Sequence, residues 1–371
     1  MKKLKIAFVI PRMGGGGAER VTANLANGFS EKGHDVRIIT IVSDKSFYPI
    51  KKAIKIYSAN ISVNRKSKIT ALKSQIFNLR KAFIFIKDRL LEEKPDVIIS
   101  FLIETDILTF FAKRYIKDAV HICSERNDPT SRNKLIQKFL KYIYRKSDLL
   151  VCQSQNVANY YDCVDDNKKV IISNPINSQN LPPYYEGVRR KVIVSVGRLD
   201  IQKNHSLLID SYTDVKQLFP EYKLEIYGKG YMQPELQKKI DDYRLSGYIS
   251  LMGSHKNVLE KINDASLFVM SSDYEGFPNA LLEAMCLGLP VICTDFSTGV
   301  AKELIKPENG FIVPVKNRNL MTEAINKVLS SSELRLSMGN NNRKLVKYFD
   351  SEVILNQWME HIEKVYYKEK L

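Results

Sequence analysis

The most informative stretch of this chain is Ser272-Asp273-Tyr274-Glu275-Gly276-Phe277-Pro278-Asn279-Ala280-Leu281-Leu282-Glu283-Ala284-Met285. Two of its acids, Glu275 and Glu283, are separated by a Gly-Phe-Pro-Asn turn and a run of good helix formers, which indicates that a helix begins at Asn279 or in the turn before it. The start of a helix suits a phosphate, because it offers backbone N–H groups and the positive end of the helix dipole. Since acids repel phosphates, this pair suits a ligand that also carries hydroxyl groups, as a nucleotide sugar does.

Apolar runs of strand length alternate with helical patterns on both sides of this stretch. In the first half the predicted strands are 5–10, 36–42, 96–101, 119–124, 149–153 and 169–172. In the second half they are 192–196, 224–227, 249–252, 267–270, 291–293 and 310–313. The alternation predicts an α/β protein with two doubly wound parallel-sheet domains and a cleft between them. A polar, proline-containing stretch separates the two domains, which we place at 1–182 and 183–350, with a terminal helix at 351–371.

Two cations follow the first predicted strand of the second domain. Arg198 and Lys203 are five positions apart, and they can converge on a diphosphate. Arg198 would bind two oxygens with its planar fork, and Lys203 would act as a point charge. The alternative is that both are ordinary solvated surface cations.

Glycine-rich loops follow several of the predicted strands. Gly14-Gly15-Gly16-Gly17 comes after the first strand and opens a helix, where the backbone can approach a phosphate closely. The third spaced glycine of the dinucleotide fingerprint is missing, so the alternative is a flexible loop. In the second domain, Gly228 lies in a Gly-Lys-Gly turn after a strand, and Asn257 and Val258 follow the next strand. These residues either border a ligand or form tight turns.

These motifs together resemble those of the family-4 retaining glycosyltransferases, which have the GT-B fold, and the resemblance covers nearly the whole chain. It implies two Rossmann-like domains facing across a cleft, with the terminal helix crossing back to the first. The first domain would bind the acceptor and the second the nucleotide sugar.

The resemblance also assigns residues to the reaction. Glu275 would lie near the anomeric carbon of the donor sugar, and with Arg198 and Lys203 it forms the predicted catalytic set. Glu283 would bind the ribose hydroxyls, and the N–H groups at the helix start would hold the distal phosphate. The predicted donor-binding residues are Gly16, Gly17, Arg198, Lys203, Gly228, Asn257, Val258, Glu275, Asn279, Ala280, Leu281 and Glu283.

The acceptor side departs from the common family pattern. Many members carry a histidine on a first-domain loop, whereas here the strand 119–124 leads into Glu125-Arg126-Asn127-Asp128-Pro129. We expect Glu125 or Arg126 to take its place, and His121 to be a structural residue inside the strand. No Asp-x-Asp motif occurs in the sequence. We therefore expect metal-independent transfer, with no cofactor beyond the nucleotide-sugar co-substrate.

The net charge of +16 is concentrated in the first half. Residues 1–180 contain 32 Lys and Arg against 17 Asp and Glu, whereas residues 181–371 contain 25 against 24. This predicts that the first domain faces something anionic. Two basic amphipathic segments carry much of the charge, and each is either an ordinary surface helix or an interfacial one. Their apolar residues are Ile69, Leu72, Ile76, Leu79, Phe83, Ile86 and Leu90 in the first, and Leu135, Ile136, Phe139, Leu140 and Ile143 in the second.

The resemblance, together with these observations, implies a bacterial glycosyltransferase that transfers a hexose or N-acetylhexosamine from a UDP-sugar. GalNAc is favoured because the motif variants are similar to those of the branch of the family that includes GalNAc transferases. The acceptor would be a lipid-linked saccharide, so the protein would work in the cytoplasm on the anionic inner face of the membrane. The N-terminal apolar run is too short to span a bilayer. One alternative is a sugar-nucleotide epimerase of the same fold. Another is a basic nucleic-acid-binding protein, although we see no recognition-helix motif and expect no nucleic-acid partner.

Overall fold

A computed structural model of the chain describes residues 2–61 and 68–368, and for residues 68–77 it describes the backbone only. The side chains of Ile69, Leu72 and Ile76 in the first basic segment therefore lie outside the described residues. The chain divides into two compact units. Unit 1 comprises Met1–Pro175 and Ser351–Leu371, and unit 2 comprises Ile176–Asp350. Each unit has a parallel sheet with helices, which confirms the predicted fold class.

Unit 1 is built on a seven-stranded sheet in the order β3-β2-β1-β4-β5-β6-β7. Its strands are β1 (Lys5–Ile10), β2 (Asp35–Thr40), β3 (Lys55–Ser58), β4 (Val97–Phe101), β5 (Val120–Ser124), β6 (Leu149–Cys152) and β7 (Lys169–Ile171). The helices of its continuous part are α1 (Gly17–Glu31), α2 (Lys68–Glu93), α3 (Ile103–Ala112), α4 (Lys134–Lys146) and α5 (Gln155–Tyr160). The central strands β4, β5 and β6 are buried along their whole length, because helices cover both faces of a parallel sheet.

Unit 2 is built on a six-stranded sheet in the order β10-β9-β8-β11-β12-β13. Its strands are β8 (Arg190–Val196), β9 (Lys223–Tyr227), β10 (Ile249–Gly253), β11 (Ala265–Met270), β12 (Val291–Asp295) and β13 (Gly310–Pro314). Its helices are α6 (His205–Leu218), α7 (Gln233–Asp242), α8 (Val258–Ile262), α9 (Asn279–Cys286), α10 (Val300–Leu304), α11 (Arg318–Ser330), α12 (Ser332–Arg343) and α13 (Val346–Phe349).

The last helix, α14 (Ser351–Lys368), belongs to unit 1 although it follows unit 2 in sequence. It packs on α1, where a side chain at Gly28 would come within 2.7 Å of Leu355. Trp358 is fully buried, and its ring lies 6.3 Å from that of Phe101 at the end of β4. The apolar face of α14 therefore completes the core of unit 1.

The strand order of each sheet reverses direction at one place. In unit 1 the reversal lies between β1 and β4, and in unit 2 between β8 and β11. The loops after two such strands leave the sheet toward opposite faces, which opens a crevice beyond their carboxyl ends. Ligands of open α/β sheets bind in this crevice, so a binding site in unit 2 is expected at the loops after β8 and β11.

Candidate active site

A buried ion pair spans the reversal point of unit 2. Lys203 Nζ lies 2.5 Å from Glu275 Oε1, and the two side chains are only 14% and 7% exposed. Lys203 lies in the loop after β8 and Glu275 in the loop after β11, so the adjacency of these strands unites residues that are far apart in sequence. Ser272 donates a hydrogen bond from Oγ to the same carboxylate oxygen at 2.7 Å. The carboxylate is thus held in one orientation.

Arg198 joins this pair through Gln202. The Arg198 side chain is 70% exposed, and its Nη2 atom lies 3.2 Å from Asp200 Oδ2. It donates from Nη2 to Gln202 Oε1 at 2.8 Å. Gln202 in turn donates from Nε2 to the Tyr274 carbonyl at 2.9 Å and to Glu275 Oε2 at 3.3 Å. All three members of the predicted catalytic set therefore lie in one network.

This network has the chemistry to bind a diphosphate beside hydroxyl groups. An ammonium group carries three donors, and Lys203 directs one of them at Glu275, so phosphate oxygens can use the others. Arg198 is exposed and presents a planar fork of donors. Because Lys203 and Glu275 are largely removed from water, their fields are stronger there than at the surface.

Gly228 allows the loops after neighbouring strands to stack. Its φ of 149° is outside the range that other residues adopt readily, and a Cβ atom there would lie 1.8 Å from the Gly197 carbonyl oxygen. Its N–H donates to the Gly253 carbonyl at 2.8 Å. The close approach predicted for Gly228 is thus to backbone of the same unit. The neighbouring prediction, Asn257, precedes α8 and donates to Glu260 at 2.8 Å, while Val258 packs on the core.

The predicted phosphate-binding helix is α9, which begins at Asn279 with Pro278 as its cap. Two of the three amides assigned to the phosphate have partners within the chain. Asn279 N–H donates to Phe277 O, and Leu281 N–H donates to Pro278 O, each at 3.0 Å. A phosphate would have to share or replace these two hydrogen bonds. The third assigned amide, that of Ala280, lies between them in sequence. Glu283 is one turn into α9 and partly buried.

In unit 1 the glycine loop lies at the start of α1, with Gly16 as the cap and Gly17 as the first helical residue. The buried Glu19 folds back over the loop, so that a Cβ atom on Gly16 would meet its carboxylate. Tyr48 donates from its hydroxyl to the Gly15 carbonyl at 3.1 Å. A side chain at position 16 would therefore require the flexible end of Glu19 to move.

Glu125 is held in a buried cluster at the carboxyl end of β5. It is 2% exposed, and Arg132 donates to both of its oxygens, at 2.5 and 2.7 Å. Tyr161 donates a hydroxyl at 2.6 Å, and the Asn127 N–H donates at 3.0 Å. A carboxylate with this many donors is a fixed anion, which favours a structural role for Glu125.

Arg126 has a different environment from its neighbour. Its guanidinium lies 4.9 Å from the ring centre of Phe101 and 5.7 Å from that of Trp358, and Nη1 donates to Asn174 at 2.6 Å. Burial lowers the pKa of Arg126 to about 9. Its Nε and Nη2 groups have no hydrogen-bond partner among the residues that the structure describes. Buried donors without a partner are costly, so of the two candidates Arg126 is the one that retains unused hydrogen-bonding capacity.

His121 lies inside β5, as predicted. It is buried, its Nε2 is 3.0 Å from Ser100 Oγ, and burial lowers its pKa to about 3. Ser100 also donates to Asp106 at 2.6 Å, and Tyr144 donates to the other oxygen of Asp106 at 2.8 Å. His121 is thus a neutral member of an internal polar network.

Family models match both halves of the chain. The model described as "Glycosyltransferase Family 4" matches residues 15–180, and the one described as "Glycosyl transferases group 1" matches residues 183–345. The chain is a family-4 glycosyltransferase.

Relatives of this glycosyltransferase include two enzymes of Campylobacter jejuni. One is named GalNAc-alpha-(1->4)-GalNAc-alpha-(1->3)-diNAcBac-PP-undecaprenol alpha-1,4-N-acetyl-D-galactosaminyltransferase, and it is 27% identical over 98% of this chain and 99% of its own length. The other, named N-acetylgalactosamine-N,N'-diacetylbacillosaminyl-diphospho-undecaprenol 4-alpha-N-acetylgalactosaminyltransferase, is 28% identical over 96% and 99%. Among solved structures, Anabaena Alr3699/HepE in complex with UDP and glucose matches with a TM-score of 0.78 at 16% identity, over 97% of this chain and 100% of that one.

Two positioning residues of the glycosyltransferase site carried no sequence signal. Gln202 links Arg198 to Glu275, and Ser272 orients the Glu275 carboxylate. Isolated glutamines and serines are common in loops, so nothing in their spacing distinguishes them. The order of the strands brings them to the site.

We expect Arg132→Ala to destabilise the glycosyltransferase by about 3–5 kcal/mol, because it leaves Glu125 buried without its charged partner. The free energy of unfolding from urea denaturation measures this loss. Lys134→Ala, at an exposed position two residues along the chain, is the matched control and should change stability by less than about 0.5 kcal/mol. Equal stability of the Arg132 variant and the wild type would contradict the structural role of the cluster.

Proposed function

We propose that this enzyme transfers an N-acetylhexosamine or hexose, with GalNAc favoured, from a UDP-sugar to a lipid-linked saccharide, with retention of the anomeric configuration. The observation that carries the proposal is the Lys203–Glu275 pair at the reversal point of the unit 2 sheet, with Arg198 connected to it. Cations for a diphosphate and a fixed carboxylate for a sugar occupy the same place. A nucleotide sugar presents both groups together.

The assignment of a nucleotide-sugar donor is supported by the charges of Arg198, Lys203 and Glu275. As the glycosidic bond to the diphosphate breaks, negative charge develops on the leaving group, and Arg198 and Lys203 stabilise it without a metal ion. Glu275 faces the positive charge that develops on the sugar ring. Of the other predicted residues, Glu283 and the α9 amides would bind the ribose and the distal phosphate. HepE, named above in complex with UDP and glucose, supports UDP as the nucleotide.

The acceptor end of the proposal rests on relatives and on charge. Both Campylobacter relatives are named for undecaprenol-linked acceptors. The excess of cations in residues 1–180 suits a surface that approaches anionic lipid. No helix in the described part of the chain is both long enough and apolar enough to cross a membrane. We therefore propose peripheral attachment to the inner face of the cytoplasmic membrane, with Arg126 on the acceptor side.

A panel of UDP-, GDP- and dTDP-sugars, incubated with bacterial membrane lipid extract in excess EDTA, tests this function. We expect transfer of label from one UDP-sugar into the lipid fraction, with undiminished rate in EDTA. Formation of a free epimer with no labelled lipid would favour the sugar-nucleotide epimerase instead. Loss of transfer in EDTA that Mg²⁺ restores would contradict the metal-independent mechanism.

A further inference from the structure

An apolar groove lies on unit 1, between α2 and α3. Its volume is about 560 Å³, which is within the range of sites for small molecules. Leu79 and Phe83 of α2, Ile107 and Phe111 of α3, and Tyr115 line it. Leu79 and Tyr115 are about half exposed. The groove is thus an open apolar surface rather than part of the core.

A cationic pocket of about 280 Å³ adjoins the groove, and Arg114 lines both. Lys113, Lys117 and Lys146 also line the pocket. Its one acid is Asp148, whose Oδ2 accepts a hydrogen bond from the His121 backbone N–H at 2.7 Å. Four cations against one acid make this pocket attractive to a phosphate group.

We propose that the groove and the pocket together form a binding site for an anionic phospholipid of the bilayer, with a hydrocarbon chain in the groove and the headgroup phosphate in the pocket. The proposal rests on the membrane location given under Proposed function, and it names the lipid and the surface. The apolar groove and the cluster of cations share one residue, Arg114, so together they suit an amphiphile.

The neighbouring helix α4 extends this surface. Leu135, Phe139 and Tyr142 repeat at helical spacing along α4, and all three are exposed, Leu135 to 81%. The Phe139 ring stacks 6.3 Å from that of Phe111, so the exposed stripe is continuous with the groove. Five Lys and Arg residues and no acid occur in α4. A helix with exposed apolar side chains among cations suits an anionic bilayer better than a single soluble ligand.

The position of the pocket favours a bulk phospholipid over the lipid-linked acceptor. The pocket includes His121, near the amino end of β5, whereas Glu125 and Arg126 follow the carboxyl end of the same strand. A strand of five residues separates these two edges of the sheet by about 15 Å. A headgroup in the pocket therefore lies at the edge opposite to the loops where the acceptor saccharide is expected.

Vesicle flotation of the full chain, without donor or acceptor, tests the site. We expect binding to vesicles of phosphatidylcholine with phosphatidylglycerol and little binding to phosphatidylcholine alone. Lys113→Glu with Lys117→Glu should weaken binding to the anionic vesicles by at least about tenfold. The matched control, Lys223→Glu with Lys238→Glu in unit 2, makes the same change in net charge and should bind as the wild type does. Equal binding to both vesicle types, or no difference between the two double variants, would overturn the proposal.

The groove is tested separately from the cations. Leu79→Glu should weaken vesicle binding, whereas Leu218→Glu, at a similarly exposed leucine of unit 2, should not. In Tyr115→Trp, vesicles with brominated acyl chains should quench the introduced indole and leave the fully buried Trp358 unquenched. Absence of quenching at position 115 would show that no chain enters the groove. Light scattering tests whether the groove binds a second copy of the chain instead. A wild-type dimer that Leu79→Glu converts to a monomer would overturn the lipid assignment.

Failure of this proposal is distinguishable from failure of the proposed function. Flotation needs no nucleotide sugar, and donor turnover can be measured without vesicles, as release of UDP in the presence of detergent-solubilised membrane lipid extract that supplies the acceptor. If the enzyme turns over the UDP-sugar but binds anionic and neutral vesicles equally, the lipid site is rejected and the proposed function stands. Vesicle binding with no UDP-sugar turnover would reject the proposed function and leave the lipid site standing.

Discussion

Glu275→Gln should lower the rate of sugar transfer by at least about 10²-fold while the protein remains folded. The substitution removes the negative charge that faces the reacting sugar but keeps the size of the side chain. The amide oxygen of the variant can still accept hydrogen bonds from Lys203 and Ser272, which hold the carboxylate in the wild type. The expected loss is therefore in kcat, with little change in the affinity for UDP. Initial rates with the UDP-sugar identified by the panel, and a thermal unfolding curve, measure the two quantities.

The amide variant is preferable to Glu275→Ala. Alanine would leave Lys203 buried without its partner, and breaking a buried pair costs about 3–5 kcal/mol. A loss of activity in that variant could then come either from the missing carboxylate or from destabilisation of the fold. Glu235→Gln, at an exposed acid on α7, is the matched control and should retain full activity. Wild-type activity in Glu275→Gln would reject the catalytic role of this residue.

The fold was predictable because both sheets are parallel and buried. Strands covered on both faces appear as continuous apolar runs, so β1 was located to the residue and the other central strands to within one or two. The edge strand β3 was missed. Its four residues are exposed or half-buried, and Lys55 and Ser58 interrupt its apolar pattern. Ile56 and Tyr57 alone are too short an apolar run for the pattern to indicate a strand.

The helix α4 shows a second limit of sequence patterns. The amphipathic pattern grouped Leu135, Ile136 and Phe139 with Leu140 and Ile143 on one side. In the structure Leu140 and Ile143 are buried against the sheet, whereas the other three are exposed. The pattern reports that apolar residues share part of a helix circumference, but it does not give the angle at which the sheet covers them. The exposed remainder is what suggests the lipid surface.

The candidate site was predictable in its residue types but not in its contacts. Arg198 and Lys203 were predicted from their position after a strand, and Glu275 from the two-acid motif that resembles the family's. The structure places all three in one network. The direct bond between Lys203 and Glu275 depends on β8 and β11 being neighbours, which follows from the topology of the sheet. The same holds for the cluster of Glu125 with Arg132 and Tyr161, since their union depends on a loop and a helix folding onto β5.

Lys203→Ala should weaken the binding of UDP by about 10- to 100-fold, because it removes charge-assisted hydrogen bonds to the diphosphate. Loss of the ammonium also leaves Glu275 buried without its cation, and this acid would then repel the phosphates. Uridine carries no phosphate, so its affinity should change little. The informative quantity is therefore the ratio of the uridine and UDP dissociation constants, measured by calorimetry for the wild type and the variant.

A double-mutant cycle separates the two causes of this loss. If repulsion by Glu275 contributes, Lys203→Ala combined with Glu275→Gln should bind UDP more tightly than Lys203→Ala alone. If only the lost phosphate contacts matter, the two variants should bind equally. Lys238→Ala, which removes a cation from an exposed pair on α7, is the control and should leave the ratio unchanged. An unchanged ratio in Lys203→Ala would instead place the diphosphate away from Lys203, and it would leave the buried pair as a purely structural link between the loops after β8 and β11.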